Sequence, residues 1–142
     1  MTRWQPVTVN NFVTLARFHY YDGTGCHRVM AAFVVQCGRP GEDESAPGYT
    51  IADELPAPGE YAEGVVAMAN TGQPNSGSCQ FFINTVHNGY LDFFSPGPSK
   101  HPVFGRVTSG MDVVNKIGSA RTDAGDRPST PIQMVKVTIA GA

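Results

Sequence analysis

Residues 26–37, CHRVMAAFVVQC, place an arginine and a glutamine among apolar residues typical of a β core. Successive side chains of a strand point to opposite faces, so two short strands here would turn Val29 and Val35 inward. The same alternation turns three others outward: Arg28, Val34 and Gln36. The stretch therefore predicts a sheet with one hydrophobic face and one outer face that carries hydrogen-bonding groups.

The composition is that of one globular domain spanning residues 1–142, with 41% hydrophobic and 15% charged residues. A net charge of −2 without a Lys/Arg cluster argues against nucleic-acid or anionic membrane partners. The longest apolar stretch, residues 29–35, is too short to span a membrane, and the first residues show no apolar signal segment. Three widely spaced cysteines favour free thiols in a cytoplasmic protein over a disulfide framework.

Short apolar segments separated by 16 Gly and 11 Pro predict a mainly β, antiparallel fold. Strands are expected near residues 26–30, 33–37, 64–69, 79–84 and 102–107, with a sixth in QMVKVTIA at residues 133–140. Two segments have helical spacing instead. The first, residues 6–18, has its apolar stripe at Val9, Phe12, Val13 and Ala16. The second, residues 110–118, has its stripe at Met111, Val114 and Ile117.

Standard signatures of nucleotide-binding, serine-hydrolase and zinc-protease sites are absent from the chain. The four histidines and three cysteines form neither CxxC nor HxxxH, so no metal site and no cofactor are expected. Cys26 beside His27 raises the alternative of a thiol nucleophile. Adjacent strand residues point to opposite faces, which favours a structural role for this pair.

A second stretch, GSCQFFINT at residues 77–85, has the same character as the first. On a strand, Phe81 and Ile83 would face the core, while Gln80 and Phe82 would lie on the outer face. Such a mixture of apolar and amide side chains suits a groove for an extended peptide, yet it also occurs on ordinary protein surfaces. The residues alone leave both interpretations open.

Nine short blocks then occur in a recognisable order. They are TVNNF (8–12), YYDGTGCHRV (20–29), FVVQCG (33–38), PGY with DE (47–54), AMAN (67–70), GSCQFFI (77–83), LD (91–92), VFGRV (103–107) and GMDVV (110–114). In this order they resemble the conserved blocks of the cyclophilins, a family of peptidyl-prolyl cis–trans isomerases. The resemblance implies the family fold, an antiparallel β-barrel with two short helices, here with six strands instead of eight.

The resemblance also implies an active site. Arg28 matches the principal catalytic arginine of the family. The substrate-binding positions it implies are Phe33, Val34, Gln36, Ala69, Asn70, Gln80, Phe82, Tyr90, Leu91 and His101. The implied partners are proline-containing peptides and unfolded proteins, whose folding the protein would assist as a chaperone without any cofactor.

Three departures from the family pattern carry expectations of their own. Tyr90 stands where many cyclophilins have a tryptophan that is important for cyclosporin, which implies weakened affinity for the drug, as in many bacterial members. Cys26 stands where the family usually has phenylalanine. The chain begins at the family's first helix, so we expect the N-terminal β-hairpin to be missing and residues 134–140 to form an exposed edge.

Two functions of different classes remain after this comparison. The first is an active prolyl isomerase, which the presence of Arg28 favours. The second is a proline-peptide-binding module with little or no turnover, which the missing hairpin would favour.

Overall fold

The computed structural model describes residues 5–39, 47–55, 61–91 and 101–141 of the chain. Its elements are α1 (Pro6–Arg17), β1 (Arg28–Met30), β2 (Val34–Cys37), β3 (Val65–Met68), β4 (Phe81–Asn84), a 3₁₀ helix (Gly89–Leu91), β5 (Val103–Arg106) and α2 (Met111–Gly118). The five strands form one antiparallel sheet in the order β1-β2-β4-β3-β5. The predicted mainly β fold with two short helices is confirmed.

The sheet register aligns one residue from each strand in a row that faces the helices. This row runs through Val29, Val35, Ile83, Val66 and Gly105. Directly paired residues of antiparallel strands point to the same face. The valines and the isoleucine of the row pack in one hydrophobic cluster with Leu15 of α1 and Val114 of α2. Both helices therefore cover the same face of the sheet.

Helix α1 receives its N-terminal cap from a distant part of the chain. Pro6 suits the first turn, but Gln5 at the N-cap position makes no side-chain capping bond. Instead, the Glu54 carboxylate accepts hydrogen bonds from the backbone N–H groups of Val7 (2.9 Å) and Thr8 (2.8 Å) and from the Thr8 hydroxyl (2.8 Å). Burial alone would raise the pKa of Glu54, but the three hydrogen bonds have the larger combined effect. The pKa of Glu54 is therefore below its ordinary value. The loop carrying Glu54 is thereby fixed against α1.

The buried face of α1 is rotated from the predicted stripe. Its buried residues are Thr8, Asn11, Leu15 and Ala16. Val9 and Phe12 are partly buried and pack against the core, as expected, but two polar side chains are more deeply buried than they are. Asn11 is satisfied there because its amide donates to the Ser78 carbonyl at 2.6 Å and its oxygen accepts from the Tyr49 hydroxyl. Helical spacing alone does not reveal such distant partners.

Helix α2 matches its prediction closely. Val114 is buried, and Met111 and Ile117 pack against the same core. Gly118 is the last helical residue, and a Cβ added there would lie 3.2 Å from the Thr85 methyl group. The end of α2 therefore packs so closely against Thr85, the residue that follows β4, that a side chain at position 118 would be crowded.

The predicted sixth strand and the closed barrel are not present in the described residues. The segment at residues 133–140 pairs only at its start, where Met134 donates to the Thr24 carbonyl (2.8 Å) and accepts from Gly23 (2.7 Å). Further along, the Val137 N–H donates to the Asp22 carboxylate at 3.0 Å rather than to a strand. Because no described strand lies beside the rest of the segment, the sheet stays open and Val135 is 84% exposed.

The expectation of three free thiols was wrong. Cys26 and Cys37 form a disulfide, and only Cys79 is free. The register brings the two cysteines near each other. Arg28 faces Gln36 across β1 and β2, and Gly25 faces Arg39, so Cys26 and Cys37 lie diagonally across the same hairpin, where both are buried in the hydrophobic cluster. A separation of 11 residues does not by itself indicate a disulfide, because the two cysteines become close only when the hairpin forms.

None of the described helices is long and apolar enough to cross a membrane.

We expect reduction of the Cys26–Cys37 disulfide to lower the free energy of unfolding by about 2–3 kcal/mol, the entropic effect of opening a loop of this length. Urea unfolding with and without reductant measures the change. The Cys26→Ala/Cys37→Ala variant is the control, since its unfolding midpoint should not respond to reductant. Equal midpoints for the wild-type protein in both conditions would contradict a disulfide that contributes to stability.

Candidate functional site

A second row of residues crosses the sheet on the face opposite the helices. It runs through Arg28, Gln36, Phe82, Ala67 and Val103. Because each residue is the direct partner of the next, their side chains share one face. The alternation predicted from the first two strands therefore extends through all five and brings distant parts of the sequence to one surface.

Nine of the eleven predicted site residues line a single cavity of about 80 Å³ on this face. They are Arg28, Phe33, Val34, Gln36, Ala69, Asn70, Phe82, Leu91 and His101. The volume lies far below the roughly 300–1,000 Å³ of pockets for drug-sized ligands, so the cavity suits one small ring rather than a whole molecule. We call it the groove cavity.

The floor of the groove cavity is buried, which corrects one detail of the sequence analysis. Val34 and Phe82 were expected as outward-facing groups, but they are only 3% and 4% exposed. They belong to a second hydrophobic cluster with Tyr61, Ala67 and Ala69, against which Phe33, Leu91 and Val103 pack. Residues from loops cover this face, and strand periodicity does not predict that covering.

A chain of polar side chains runs along one side of the groove cavity. The Arg28 guanidinium donates to Gln36 Oε1 at 3.4 Å, and Gln36 Nε2 donates to Gln80 Oε1 at 2.9 Å. Gln80 in turn interacts with the His27 side chain, which partly offsets the lowering of the His27 pKa by burial and by the charges of Arg39 and Arg127. The first contact is long and exposed, so Gln36 limits the positions of the guanidinium without immobilising it.

Gln80 lies outside the groove cavity, beside it. It lines a neighbouring cavity of about 140 Å³ that shares Ala69 and Asn70 with the groove cavity. The Ala69 N–H donates to the Gln80 carbonyl at 2.9 Å, which holds the two segments together. The Asn70 side-chain oxygen accepts from the Gly72 N–H at 3.0 Å, which fixes its amide at the border of the two cavities.

His101 forms one wall of the groove cavity, and Tyr61 positions it. The Tyr61 hydroxyl donates to the His101 carbonyl at 2.6 Å and accepts from the His101 N–H at 3.1 Å. The imidazole packs edge-on against the Phe82 ring, with centroids 5.0 Å apart. The sequence analysis missed Tyr61, whose role depends on a contact across 40 residues that no local motif signals.

The His101 imidazole is neutral near pH 7. Burial lowers its pKa, although the hydrogen bond to Met68 and the charge of Asp53 act in the opposite direction. The neutral ring donates from Nδ1 to the Met68 carbonyl at 3.0 Å. The wall of the cavity is therefore an uncharged, flat surface, and Arg28 is the one formal charge among the groove-cavity residues.

Asparagine side chains that sequence analysis did not select support the far end of the cavity. The Asn88 amide donates to the Phe33 carbonyl at 3.0 Å and to Asn84 Oδ1 at 2.6 Å. Asn84 donates to the Val65 carbonyl at 3.1 Å. Both asparagines are almost fully buried. Their side-chain hydrogen bonds therefore replace the hydrogen bonds to water that the amides lose on burial.

The last predicted site residue, Tyr90, lies in the 3₁₀ helix Gly89–Leu91, and its side chain is outside the described part of the structure. No group of three or more His, Cys, Asp or Glu side chains arranged for a metal ion occurs among the described residues.

Comparison with known proteins gives a consistent result. The family model described as "Cyclophilin type peptidyl-prolyl cis-trans isomerase/CLD" matches residues 1–139. The peptidyl-prolyl cis-trans isomerase ppi1 of Schizosaccharomyces pombe is 40% identical over 140 residues, which are 95% of this chain and 86% of that protein. The peptidyl-prolyl cis-trans isomerase-like 1 of Homo sapiens is 36% identical over 141 residues, which are 96% of this chain and 81% of that protein.

Solved structures share the fold. The cyclophilin-type peptidyl-prolyl cis-trans isomerase of Cryptosporidium parvum, crystallised in the presence of the dipeptide Ala-Pro, has a TM-score of 0.84 at 24% identity. The match covers 96% of this chain and 87% of that one. At this identity the likeness shows the architecture alone.

We expect His101 to make the stability of the protein depend on pH. Because its pKa is lower in the folded state than the ordinary 6.5, the unfolded chain takes up a proton first as the pH falls. The free energy of unfolding should therefore fall as the pH is lowered from about 6.5 towards the folded pKa, and this contribution should be constant above pH 7. Urea unfolding between pH 5 and 8 measures it.

The control is His101→Gln, which can still donate to the Met68 carbonyl but does not titrate. It should lose less stability than the wild-type protein between pH 7 and 5. Identical slopes in the two proteins would contradict the assignment to His101.

Proposed function

This chain belongs to the cyclophilin-type peptidyl-prolyl cis–trans isomerases, and from that premise we propose that Xaa-Pro bonds rotate in the groove cavity with Arg28 as the catalytic residue. The protein is an enzyme of this class, since relatives 36–40% identical over nearly the whole chain carry that activity in their names. The proposal concerns the residues that perform the reaction.

Rotation about a peptide bond needs neither a nucleophile nor a metal. The barrier of ~18–20 kcal/mol arises from the partial double-bond character of the C–N bond. At the twisted geometry the nitrogen lone pair leaves conjugation and can accept a hydrogen bond. A donor that meets this nitrogen stabilises the transition state more than the planar ground state, which is the condition for catalysis.

The single observation that carries the proposal is the position of Arg28 in the second row of the sheet. Its guanidinium lies on the same face as Phe82, at the border of a cavity whose other lining residues carry no charge. The nearby apolar floor lowers the local dielectric, so a hydrogen bond from Arg28 is stronger there than in water. The 3.4 Å contact with Gln36 limits the positions of the guanidinium, which supports its assignment as the donor to the proline nitrogen.

The remaining groups divide into a ring site and a backbone site. Phe82, Leu91 and His101 supply flat or apolar surfaces around a cavity of single-ring size, which supports their assignment to the proline ring. Gln36 and Asn70 supply amides at the border, which support assignment to the peptide backbone. One side of the bond is then held while the other side turns.

The alternative function is a proline-peptide-binding module with little turnover. The long Arg28–Gln36 contact of 3.4 Å is the observation that favours it, because a loosely held donor supplies less stabilisation to a transition state. Peptide affinity and peptide turnover, measured on the same protein, separate the two functions.

We expect Arg28→Ala to lower kcat/KM for a short Xaa-Pro peptide by about 10- to 100-fold, the effect of losing one charge-assisted hydrogen bond of about 1.5–3 kcal/mol. Peptide affinity, measured by NMR titration, should change by less than about threefold because the ring site is intact. The control is Arg106→Ala, an exposed arginine at the end of β5, which should retain full activity. Unchanged turnover in Arg28→Ala would contradict its catalytic role, and absent turnover in the wild-type protein would favour the binding module.

Cyclosporin binding belongs to the proposal as well. Because Tyr90 replaces a tryptophan of many cyclophilins, we expect weak binding of the drug and binding about tenfold tighter in Tyr90→Trp, a difference of about 1.4 kcal/mol. Calorimetric titration measures both affinities, with Tyr90→Phe as the control that should not gain affinity. A wild-type affinity equal to that of Tyr90→Trp would contradict the inference.

Several finer expectations complete the proposal. We propose unfolded, proline-containing proteins as clients, and we expect no nucleic-acid or membrane partner because the net charge is −2 without a basic cluster. A cytoplasmic location stays a prediction, and the Cys26–Cys37 disulfide makes it testable by trapping thiols in cells, since a reducing compartment would hold both cysteines reduced. The bacterial character also stays a prediction from the family resemblance.

A further inference from the structure

The Cys26–Cys37 disulfide encloses the side-chain contact on which the proposed catalysis depends. Cys26 lies two residues before Arg28, and Cys37 directly follows Gln36. Arg28 and Gln36 are direct partners across β1 and β2, and their side chains meet at 3.4 Å. The covalent bond therefore closes the hairpin next to the pair that supplies the proposed hydrogen-bond donor, although both cysteines are part of the helix-covered cluster.

Strand β1 is the part of the hairpin that can move when this bond opens. It has three residues and stands at one end of the described sheet, whereas β2 pairs with strands on both sides. On its other side, the Val29 N–H of β1 donates to the Asp126 carbonyl of a loop at 2.8 Å. Gln36 of β2 is also held by its shorter bond of 2.9 Å to Gln80. Loosening of the hairpin would therefore separate Arg28 from Gln36 before it separates Gln36 from Gln80.

A cavity of about 280 Å³ gives access to one end of the disulfide. It is distinct from the groove cavity of about 80 Å³, since the two share no lining residue. Cys26 lines the larger cavity together with Pro128 and Ile132, and we call it the disulfide cavity. Cys37 is not among its lining residues and pairs with Phe81 of β4 inside the core. A small thiol that enters the disulfide cavity therefore meets Cys26 and not Cys37.

We propose that the Cys26–Cys37 disulfide is a redox switch of the groove cavity, which a dithiol opens by attacking Cys26 through the disulfide cavity. A thiolate of the dithiol forms a bond to Cys26 Sγ while the bond between Cys26 Sγ and Cys37 Sγ breaks. The electron pair goes to Cys37 Sγ, which takes a proton from water. The second thiolate of the dithiol then attacks the dithiol sulfur bound to Cys26, and Cys26 Sγ takes the electron pair and a proton. The protein disulfide is reduced, and the dithiol is oxidised to a cyclic disulfide.

Access decides which of the two sulfurs is attacked. Burial of Cys37 in an apolar cluster makes it a poor leaving group, which slows the attack on Cys26. The opposite attack, on Cys37, would require a thiolate within that cluster, where a charge without a partner is strongly disfavoured. Attack on Cys26 is therefore the faster of the two reactions.

Reduction should lower turnover more than peptide affinity, an inference that rests on the proposed function of Arg28. We expect reduction with dithiothreitol to lower kcat/KM for a short Xaa-Pro peptide by about 3- to 10-fold, the range expected for the loss of one hydrogen bond. Peptide affinity, measured by NMR titration, should change by less than about twofold because the ring site at Phe82, Leu91 and His101 is intact. The Arg28 Nε–H signal should differ between the oxidised and reduced proteins.

Two cysteine variants are the controls for this experiment. Cys26→Ala/Cys37→Ala should have the turnover of the reduced wild-type protein and should not respond to dithiothreitol. Cys79→Ala removes the free cysteine and keeps the disulfide, so its oxidised and reduced forms should differ as those of the wild-type protein do. All assays are run at a temperature at which the melting curves show every form to be folded.

A monothiol identifies the sulfur that is attacked. The oxidised protein is exposed briefly to 2-mercaptoethanol and quenched with acid, and free thiols are blocked with N-ethylmaleimide. Trypsin cleaves after Arg28 and so separates Cys26 from Cys37 for mass spectrometry. We expect the mixed disulfide on Cys26 and the maleimide on Cys37, in excess of about tenfold over the reverse labelling.

Three outcomes would overturn the proposal: equal turnover of the oxidised and reduced proteins, a response of Cys26→Ala/Cys37→Ala to dithiothreitol, or a mixed disulfide mainly on Cys37. Failure of the proposed function has a different signature, because the oxidised protein then lacks turnover or Arg28→Ala retains it. In that case the labelling pattern and the Arg28 signal still test whether the disulfide opens at Cys26 and releases Arg28. An Arg28 signal that is identical in both redox forms would then contradict the switch.

Discussion

The pairing register of the antiparallel sheet is the constraint on which the other features depend. In β1 to β4 one residue faces the helices and its neighbour faces the opposite side, and a bulge in β5 keeps Gly105 and Val103 in the same two rows, so the alignment produces two rows with different chemistry. The row through Val29 and Val35 is covered by α1 and α2 and supplies the hydrophobic core. The row through Arg28 and Phe82 supplies the site. The stability of the first row therefore fixes the geometry of the second.

Strand alternation predicted the parts of this arrangement that depend on local sequence. The five strands, both helices and the outward direction of Arg28 and Gln36 follow from periodicity, and the family resemblance assigned the residues that line the groove cavity. What could not be predicted depends on contacts between distant segments. Examples are the cap that Glu54 provides for α1, the support of His101 by Tyr61, and the burial of Phe82.

Two errors of the sequence analysis have separate physical causes. The segment at residues 133–140 has clear alternation, but alternation describes a strand's faces and not its neighbours, and only its first residues find a backbone partner. The disulfide was missed because the odd number and wide spacing of the cysteines were taken to mean that all three are free. The hairpin brings Cys26 and Cys37 together, while Cys79 is buried as an ordinary core residue.

Positive charge has different surroundings inside the groove cavity and beside it. In the groove cavity a neutral His101 and uncharged amides surround Arg28, so its hydrogen-bonding capacity remains directed at a bound peptide. Outside this cavity, burial lowers the pKa of His27, and the charges of Arg39 and Arg127 lower it further. Side chains alone connect His27 to the groove cavity, through its interaction with Gln80 and the hydrogen bonds from Gln80 to Gln36 and from Gln36 to Arg28.

The register also limits how such a sheet can change during evolution. One inserted residue within β2 would exchange its two faces, moving Gln36 into the core and Val35 into the groove. Length changes in the segments between strands leave both rows intact, because those segments do not set the pairing. Descendants of this chain can therefore acquire new loops around the groove, and with them new clients, while a residue inserted within a strand preserves both rows only as a bulge, as in β5 opposite Val66 and Ala67. The same rule makes the loops the natural positions for grafting binding peptides onto this scaffold.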